Sequence, residues 1–457
     1  MLAKARRVAP LLVLVACRGK VYDGAAATDA SPPSAADAVA DVQNNDAGGP
    51  GAADARGDAS AGAPNGTGDA ASDVVDADVV DADVMDSHVV GADVDATASS
   101  GVTFSAVNAI SVAAIGIPQA LAIGDVNGDG RMDVVLGNQD PQTYTSNILI
   151  FYQASDGTLP STPVTYTFGW DPLAIADVNG DGRSDILAGS GTSFAVALQA
   201  ADGTLTPAVS YPVPMAGAQP QYAGWIVTGD FDRNGKTDVV VTSGGPSSSS
   251  VFLFAPNATG TLGSPRRFTT LGGAEARVAD YNADGLPDLI TFGSPGSATA
   301  VGVLPLLSPG VFGSAIEANH AAAALGTYFD VGDVTSDGLI DVVSAVSANS
   351  PNGRVLVSPQ SDGVLAGPSA YDSTDLPGPV RIADVNMDGR NDVVVEHAGW
   401  FAAGVYLQKA DGTLAPEVLL RSSYGQRVLA VGDVNGDGKP DIVTADQQKL
   451  VVFYNEY

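Results

Sequence analysis

Cysteine is almost missing from this chain, and the single Cys17 excludes any disulfide within it, so an exported form must find its stability elsewhere. Basic residues are scarce. Against 52 Asp and Glu stand only 21 Lys and Arg, a formal charge of −31, and without a basic patch nucleic acid is excluded as a partner. Histidine is scarcer still: of three, only His320 and His397 lie beyond residue 100, in different parts of the chain. No serine or cysteine nucleophile motif accompanies them, which argues against histidine-assisted hydrolysis. The N-terminal apolar run, Val8-Ala-Pro-Leu-Leu-Val-Leu-Val-Ala16, is too short to span a bilayer.

What the chain has instead is a nine-residue pattern, Asp125-Val-Asn127-Gly-Asp129-Gly-Arg-Met-Asp133, which recurs at Asp177, Asp230, Asp280, Asp333, Asp384 and Asp433. The steps run from 49 to 53 residues, a period that signals repeated supersecondary units. Oxygen side chains at positions 1, 3, 5 and 9 converge, and position 7 can add its backbone carbonyl, a hard-oxygen set suited to calcium. The first copy supplies Asp125, Asn127, Asp129, Arg131 and Asp133, and the second Asp177, Asn179, Asp181, Arg183 and Asp185. The third supplies Asp230, Asp232, Asn234, Lys236 and Asp238, and the fourth Asp280, Asn282, Asp284, Leu286 and Asp288. The fifth supplies Asp333, Thr335, Asp337, Leu339 and Asp341, the sixth Asp384, Asn386, Asp388, Arg390 and Asp392, and the seventh Asp433, Asn435, Asp437, Lys439 and Asp441. Up to seven calcium ions are expected. Glycine holds position 6 throughout, where a sharp turn wants positive φ. Thr335 in the fifth copy, and Asp232 with Asn234 in the third, depart most from the common pattern.

An EF-hand would need an acidic ligand at position 12 and a following helix; the first copy has Leu136 there. Short β-branched runs follow instead, such as Asp238-Val-Val-Val-Thr and Asp441-Ile-Val-Thr, so the loop joins two strands. A further apolar stretch and a tight turn complete each unit. The turn reads Asp156-Gly-Thr-Leu159, Asp202-Gly-Thr-Leu205 and Asp411-Gly-Thr-Leu414, with looser versions at Thr259, Pro309 and Asp362. Four short strands per unit make a propeller blade. The chain stops after the third strand of the last blade, and Ser100-Gly-Val-Thr-Phe104 resembles the missing turn and outer strand. The N-terminal segment is therefore expected to complete blade seven and close the ring, hiding its edges.

These residues resemble the FG-GAP/VCBS repeats, the calcium-loop propellers to which the head of integrin α subunits belongs. The resemblance covers about residues 100–457; the name-giving elements are only partly visible, as in Phe292-Gly-Ser-Pro295 and Gly244-Gly-Pro246. It implies an all-β, seven-bladed propeller with a calcium loop between strands 1 and 2 of each blade. It also implies a secreted or surface module that binds proteins or glycans and occasionally carries an enzyme site.

Residues 1–99 are of another kind. Lys4, Arg6 and Arg7 precede the apolar run, and Leu14-Val-Ala-Cys17 looks like a bacterial lipobox. That resemblance implies a signal peptide over 1–16, lipidation of Cys17, and anchoring to the cell envelope at the outer membrane or cell surface. An ordinary secretory signal with an incidental cysteine is the alternative. Residues 17–99, with 16 Asp and almost no aromatic or long aliphatic side chains, cannot bury a core and read as a disordered tether. Its run Asp73-Val-Val-Asp-Ala-Asp-Val-Val-Asp-Ala-Asp83 is a solvated acidic tract or a loose calcium binder. Loops and tether together account for most of the acidity, and bound calcium would cancel much of it. A monomer that meets the membrane only through its lipid is expected.

Aligned on the first loop aspartate, the inner strands carry Leu121, Leu173, Ile226, Ala276, Phe329, Val380 and Leu429 four residues earlier, a buried face at period two. Three residues earlier, where blades one, two and seven have alanine, blades four, five and six carry Arg277, Asp330 and Arg381; five earlier, blades three to five carry Trp225, Glu275 and Tyr328. Two readings follow: a polar, aromatic-edged site at the channel mouth that takes an acidic ligand, or a buried ion network that fixes blade register. Trp170, Trp225, Tyr328, Trp400 and Tyr424 fall on the face opposite the calcium loops, as a sugar- or peptide-binding rim or as filler between blades. The sequence thus points to a surface adhesion or ligand-binding module for a glycan or extracellular protein. A polysaccharide lyase or hydrolase using Glu275, Asp330 and Tyr328, or a purely structural surface protein, are the alternatives.

Overall fold

The computed structural model describes residues 102–105, 108–112, 116–214, 222–244, 250–257, 260–270, 275–293, 300–318, 328–398, 402–421 and 428–457. Cys17, the tether, His320, Trp400 and Tyr424 lie outside them. The described residues form seven four-stranded antiparallel sheets, and no helix occurs among them. Six of the sheets are built from consecutive segments. Blade 1 shows the plan: Ile117–Gly124 innermost, then Asp133–Gln139, Ser146–Phe151 and Val164–Tyr166 at the rim.

Blade 7 is built from both ends of the propeller. Leu429–Gly432, Asp441–Ala445 and Lys449–Phe453 come from the C-terminal side, and Asn108–Ser111 supplies the outermost strand, with Asn108 opposite Val452 and Ser111 opposite Lys449. Phe104 bridges Asn455, as Leu205 bridges Gln199 and Leu414 bridges Gln408 elsewhere. The expected stand-in for the missing turn is therefore Val102 to Phe104, and the outer strand lies a few residues further on than Phe104. Pairing Lys449–Phe453 on both sides removes the free edge that would otherwise invite association.

Alternation along each strand fills two interfaces at once, because both faces of a blade meet a neighbour. In blade 1, Leu121, Ile123, Val134 and Leu136 pack with Val443, Leu450 and Val452 of blade 7. Ala120, Ala122, Val135 and Ile150 face Leu173, Ile175 and Ile186 of blade 2. Seven such apolar clusters join the seven blades pairwise into a closed ring.

Candidate functional site

Each acidic loop connects the innermost strand to the second, and its position 9 aspartate is the first residue of that second strand. All seven of these aspartates, Asp133 through Asp441, are fully buried. In every blade one oxygen accepts the N–H of loop position 2, as in Val126 N to Asp133 Oδ2 at 3.1 Å and Val434 N to Asp441 Oδ2 at 3.0 Å. In six blades the other oxygen accepts an N–H from the residue just beyond the third strand, such as Gln153 N at 2.9 Å and Gln408 N at 2.8 Å. The carboxylate thus ties three parts of a blade together.

The exposed part of the loop is wound by its own side chains. Asp125 accepts the N–H groups of Gly128 at 2.6 Å and Gly130 at 2.9 Å, while Asn127 Oδ1 accepts from Asp129 N and Asp129 Oδ1 from Arg131 N, both at 2.9 Å. Position 6 glycine has φ between 81° and 85° in all seven copies, as the turn required. Position 4 is left-handed too, and there Arg233, Ala283, Ser336 and Met387 hold φ of 55–62° without being glycine. Such strain collects where a loop shape is functionally constrained. In blades 1, 2 and 6 the position 7 arginine folds back onto the position 5 aspartate, and its Nε reaches the carbonyl of Gln153, Gln199 or Gln408.

Electrostatically the loops are poised for a cation. Burial lifts Asp133, Asp238 and Asp441 to about 7 and Asp185 and Asp392 to about 6, with neighbouring loop carboxylates adding to the rise. The third loop goes furthest, although its sequence departs from the common pattern. Asp230, Asp232 and Asp238 offer ligand oxygens that all lie within 4.8 Å of one another. Where six blades supply an N–H to the position 9 aspartate, blade 3 has Pro256, which has none, and the buried Asp238 Oδ1 has no hydrogen-bond partner. A buried, unpaired carboxylate oxygen beside two more carboxylates suits a hard divalent cation.

The loops also lock neighbouring blades. In blades 1, 2 and 6 the Asp-Gly turn sits on the acidic loop of the preceding blade, so close that a Cβ on Gly203 would lie 2.6 Å from Asn127 O, on Gly157 2.4 Å from Asn435 O, and on Gly412 2.3 Å from Thr335 O. Side-chain amides add to this: Gln360 Nε2 donates to Tyr281 O at 2.5 Å and Asn455 Nδ2 to Val385 O at 2.6 Å, each crossing to the loop of the blade before. Sequence reasoning passed over these amides. For Gln360 the signal was a glutamine just ahead of the Asp-Gly turn, a position that Gln153, Gln199 and Gln408 share without making the bond.

The polar residues of blades 3 to 6 do come together. Arg277 Nε donates to Asp330 Oδ1 at 2.7 Å, its Nη2 donates to Phe329 O at 2.7 Å and lies 3.8 Å from Glu275 Oε2, and its Nη1 donates to Ala276 O at 2.9 Å. The guanidinium carbon stands 5.1 Å from the Trp225 ring centre and 4.9 Å from that of Phe329. Asp330 Oδ2 accepts Ile382 N at 3.0 Å, which carries the chain of contacts into blade 6. Arg381 donates to Val380 O at 2.8 Å. Trp225, Glu275, Arg277, Tyr328 and Arg381 are all buried. Of the other rim aromatics, Trp170 is half-buried. His397 is buried against Glu417, with 2.5 Å between Nε2 and Oε1.

The FG-GAP-like repeat family model matches residues 125–188, 177–241 and 230–291, and the FG-GAP repeat model matches 426–453. No curated protein matches the sequence. Among solved structures, an Agrocybe aegerita lectin that recognises non-reducing terminal N-acetylglucosamine is 17% identical with a TM-score of 0.50, the match covering 76% of this chain and 96% of that one. BBS1N, solved in complex with ARL6DN, is 12% identical with a TM-score of 0.52, covering 78% and 97%. At such identities the likeness concerns the fold alone. Repeat matches on both halves of the ring and the seven-bladed architecture lead to one conclusion: the chain is an FG-GAP-repeat β-propeller.

Proposed function

We propose that this propeller is an exported, calcium-stabilised binding module, tethered to the bacterial envelope through a lipid on Cys17 and presenting a glycan- or protein-binding face. The observation that carries the calcium part is the buried aspartate at the end of every loop, above all the Asp230, Asp232 and Asp238 group. In each copy the side chains at positions 1, 3, 5 and 9 would hold the ion, which supplies positive charge to carboxylates that burial alone disfavours. Its role is structural, because loops and Asp-Gly turns occupy each other on one face. Ligand binding then falls to the opposite face, where Tyr144 and Tyr222 are 73% and 54% exposed.

In this reading the Arg277 cluster fixes blade register. Its carboxylates are engaged by the guanidinium and by backbone, an arrangement suited to cohesion more than to acid–base exchange. A glycan array probed with the full chain in calcium is the test. A defined set of bound sugars, or a protein ligand captured in a calcium-dependent manner, is expected. Release of new sugar ends from a polysaccharide would replace the binding reading with an enzymatic one, and self-association without any ligand would replace it with a structural one.

A further inference from the structure

On the face away from the acidic loops, a cleft of about 390 Å³ opens between blades 7 and 1, lined by Asn138, Asp140, Gln142 and Asn147 of blade 1 and Gln447 and Gln448 of blade 7. Its volume lies within the range of small-ligand sites. Five of its eight lining residues carry a carboxamide, beside Asp140, Gly116 and Pro141.

The position is unusual for the strand that builds it. Val134 and Leu136 form the apolar seam with blade 7, and period two brings Asn138 to the same face, directly opposite Asn147 on the next strand. Asn138 is only 3% exposed, yet its Oδ1 has no hydrogen-bond partner. A buried amide oxygen left unpaired costs about 1–3 kcal/mol unless something else satisfies it. The matching position of blade 6 is His397, and there Glu417 fills the role at 2.5 Å. In blade 1 no described side chain fills that role, and Asn138 lines the cleft.

We infer that this cleft is a binding subsite for a neutral carbohydrate. The inference rests on the ligand-binding reading above and assigns it a place and a chemical class. Carboxamides donate and accept side by side, as vicinal sugar hydroxyls do, so the two sets pair without leaving either unsatisfied. Among the described residues no cationic side chain lines the cleft, which disfavours an anionic ligand. Asp140 Oδ1 is taken by the N–H groups of Gln142 at 2.8 Å and Thr143 at 2.9 Å, so the lining loop is held in shape before any ligand arrives. The same loop presents Tyr144, exposed and held at φ 56° by its N–H bond to Asp140 O at 2.9 Å. An exposed ring in a strained backbone suits stacking against the apolar face of a sugar.

The test uses the full chain in calcium on an array of neutral trisaccharides of N-acetylglucosamine, mannose and glucose, with sulfated heparin fragments as contrast. Gln142→Ala and Gln447→Ala alter exposed side chains and should leave melting unchanged; each should weaken binding to a neutral trisaccharide about tenfold, and Asn138→Leu should abolish it. Neutral sugars bound equally well by all three variants would overturn the cleft while leaving a glycan-binding module in place. A protein ligand with a blank array, or preference for the sulfated fragments, would overturn the carbohydrate assignment and leave the module reading intact. A blank array with no ligand of any kind would overturn both.

Discussion

Replacing Arg277 with leucine removes the guanidinium that joins blade 4 to blade 5 and stacks between Trp225 and Phe329. Asp330 would keep one backbone donor, Ile382 N, but lose its counter-charge while its side chain stays 14% exposed. Breaking a buried pair from one side costs about 3–5 kcal/mol, and the partial exposure of Asp330 favours the lower end. With an unfolding entropy of about 2 cal/mol/K per residue over the roughly 310 described residues, 3 kcal/mol corresponds to a fall of about 5 °C in Tm. Differential scanning calorimetry on the full chain in calcium reads this directly. The double variant Arg277→Leu/Asp330→Leu should recover much of the loss, because neither charge is then stranded. A shift below 1 °C, or single losses that simply add in the double variant, would refute the register role. Lost ligand binding at unchanged Tm, in this variant or in Arg381→Ala, would reassign the cluster to an acidic ligand.

Two other perturbations separate local from inter-blade effects. Gly412 and Gly363 have φ of 77° and 78°, but a Cβ on Gly412 meets Thr335 O at 2.3 Å whereas one on Gly363 meets nothing within 4 Å. Gly363→Ala should cost about 1 kcal/mol for the left-handed backbone, and Gly412→Ala about 1–3 kcal/mol more in urea unfolding; equal losses would deny that the turn locks onto the neighbouring loop. Deleting residues 1–111 removes the outermost strand of blade 7 and frees the edge of Lys449–Phe453, so lower melting and concentration-dependent association are expected in sedimentation. A monomer with unaltered melting would contradict closure by strand exchange.

Much of the fold was legible because its units announce themselves: a loop that must close around a fixed geometry tolerates few residue types, and seven copies of one acidic loop, five of them reading Asp-x-Asn-x-Asp-Gly, set the blade count. Closure was legible too, although the resemblance of Ser100 to Phe104 to a turn drew the outer strand too close to it. The alignment that singled out Arg277, Asp330 and Arg381 recognised residues that do cluster. It left open whether their face lines a channel mouth or an ion network between blades, because in a propeller both faces of a blade meet neighbours and alternation distinguishes left from right and not inside from outside. Trp225 illustrates this: its strand carries a register shift between Ala223 and Trp225, and the ring ends fully buried over Arg277. Asn138 escaped notice because one amide at the end of an apolar strand looks like an ordinary strand terminus, and only the facing blade turns it into the wall of a cleft.

Calcium stoichiometry tests the account most directly. Native mass spectrometry of the chelated full chain, titrated with calcium, should show several ions bound, up to seven, and melting should rise in step, since a site held at a hundred times its Kd contributes about 2.7 kcal/mol. A chain that binds no calcium, and melts at the same temperature with and without chelator, would contradict the proposal that calcium in these loops stabilises the propeller.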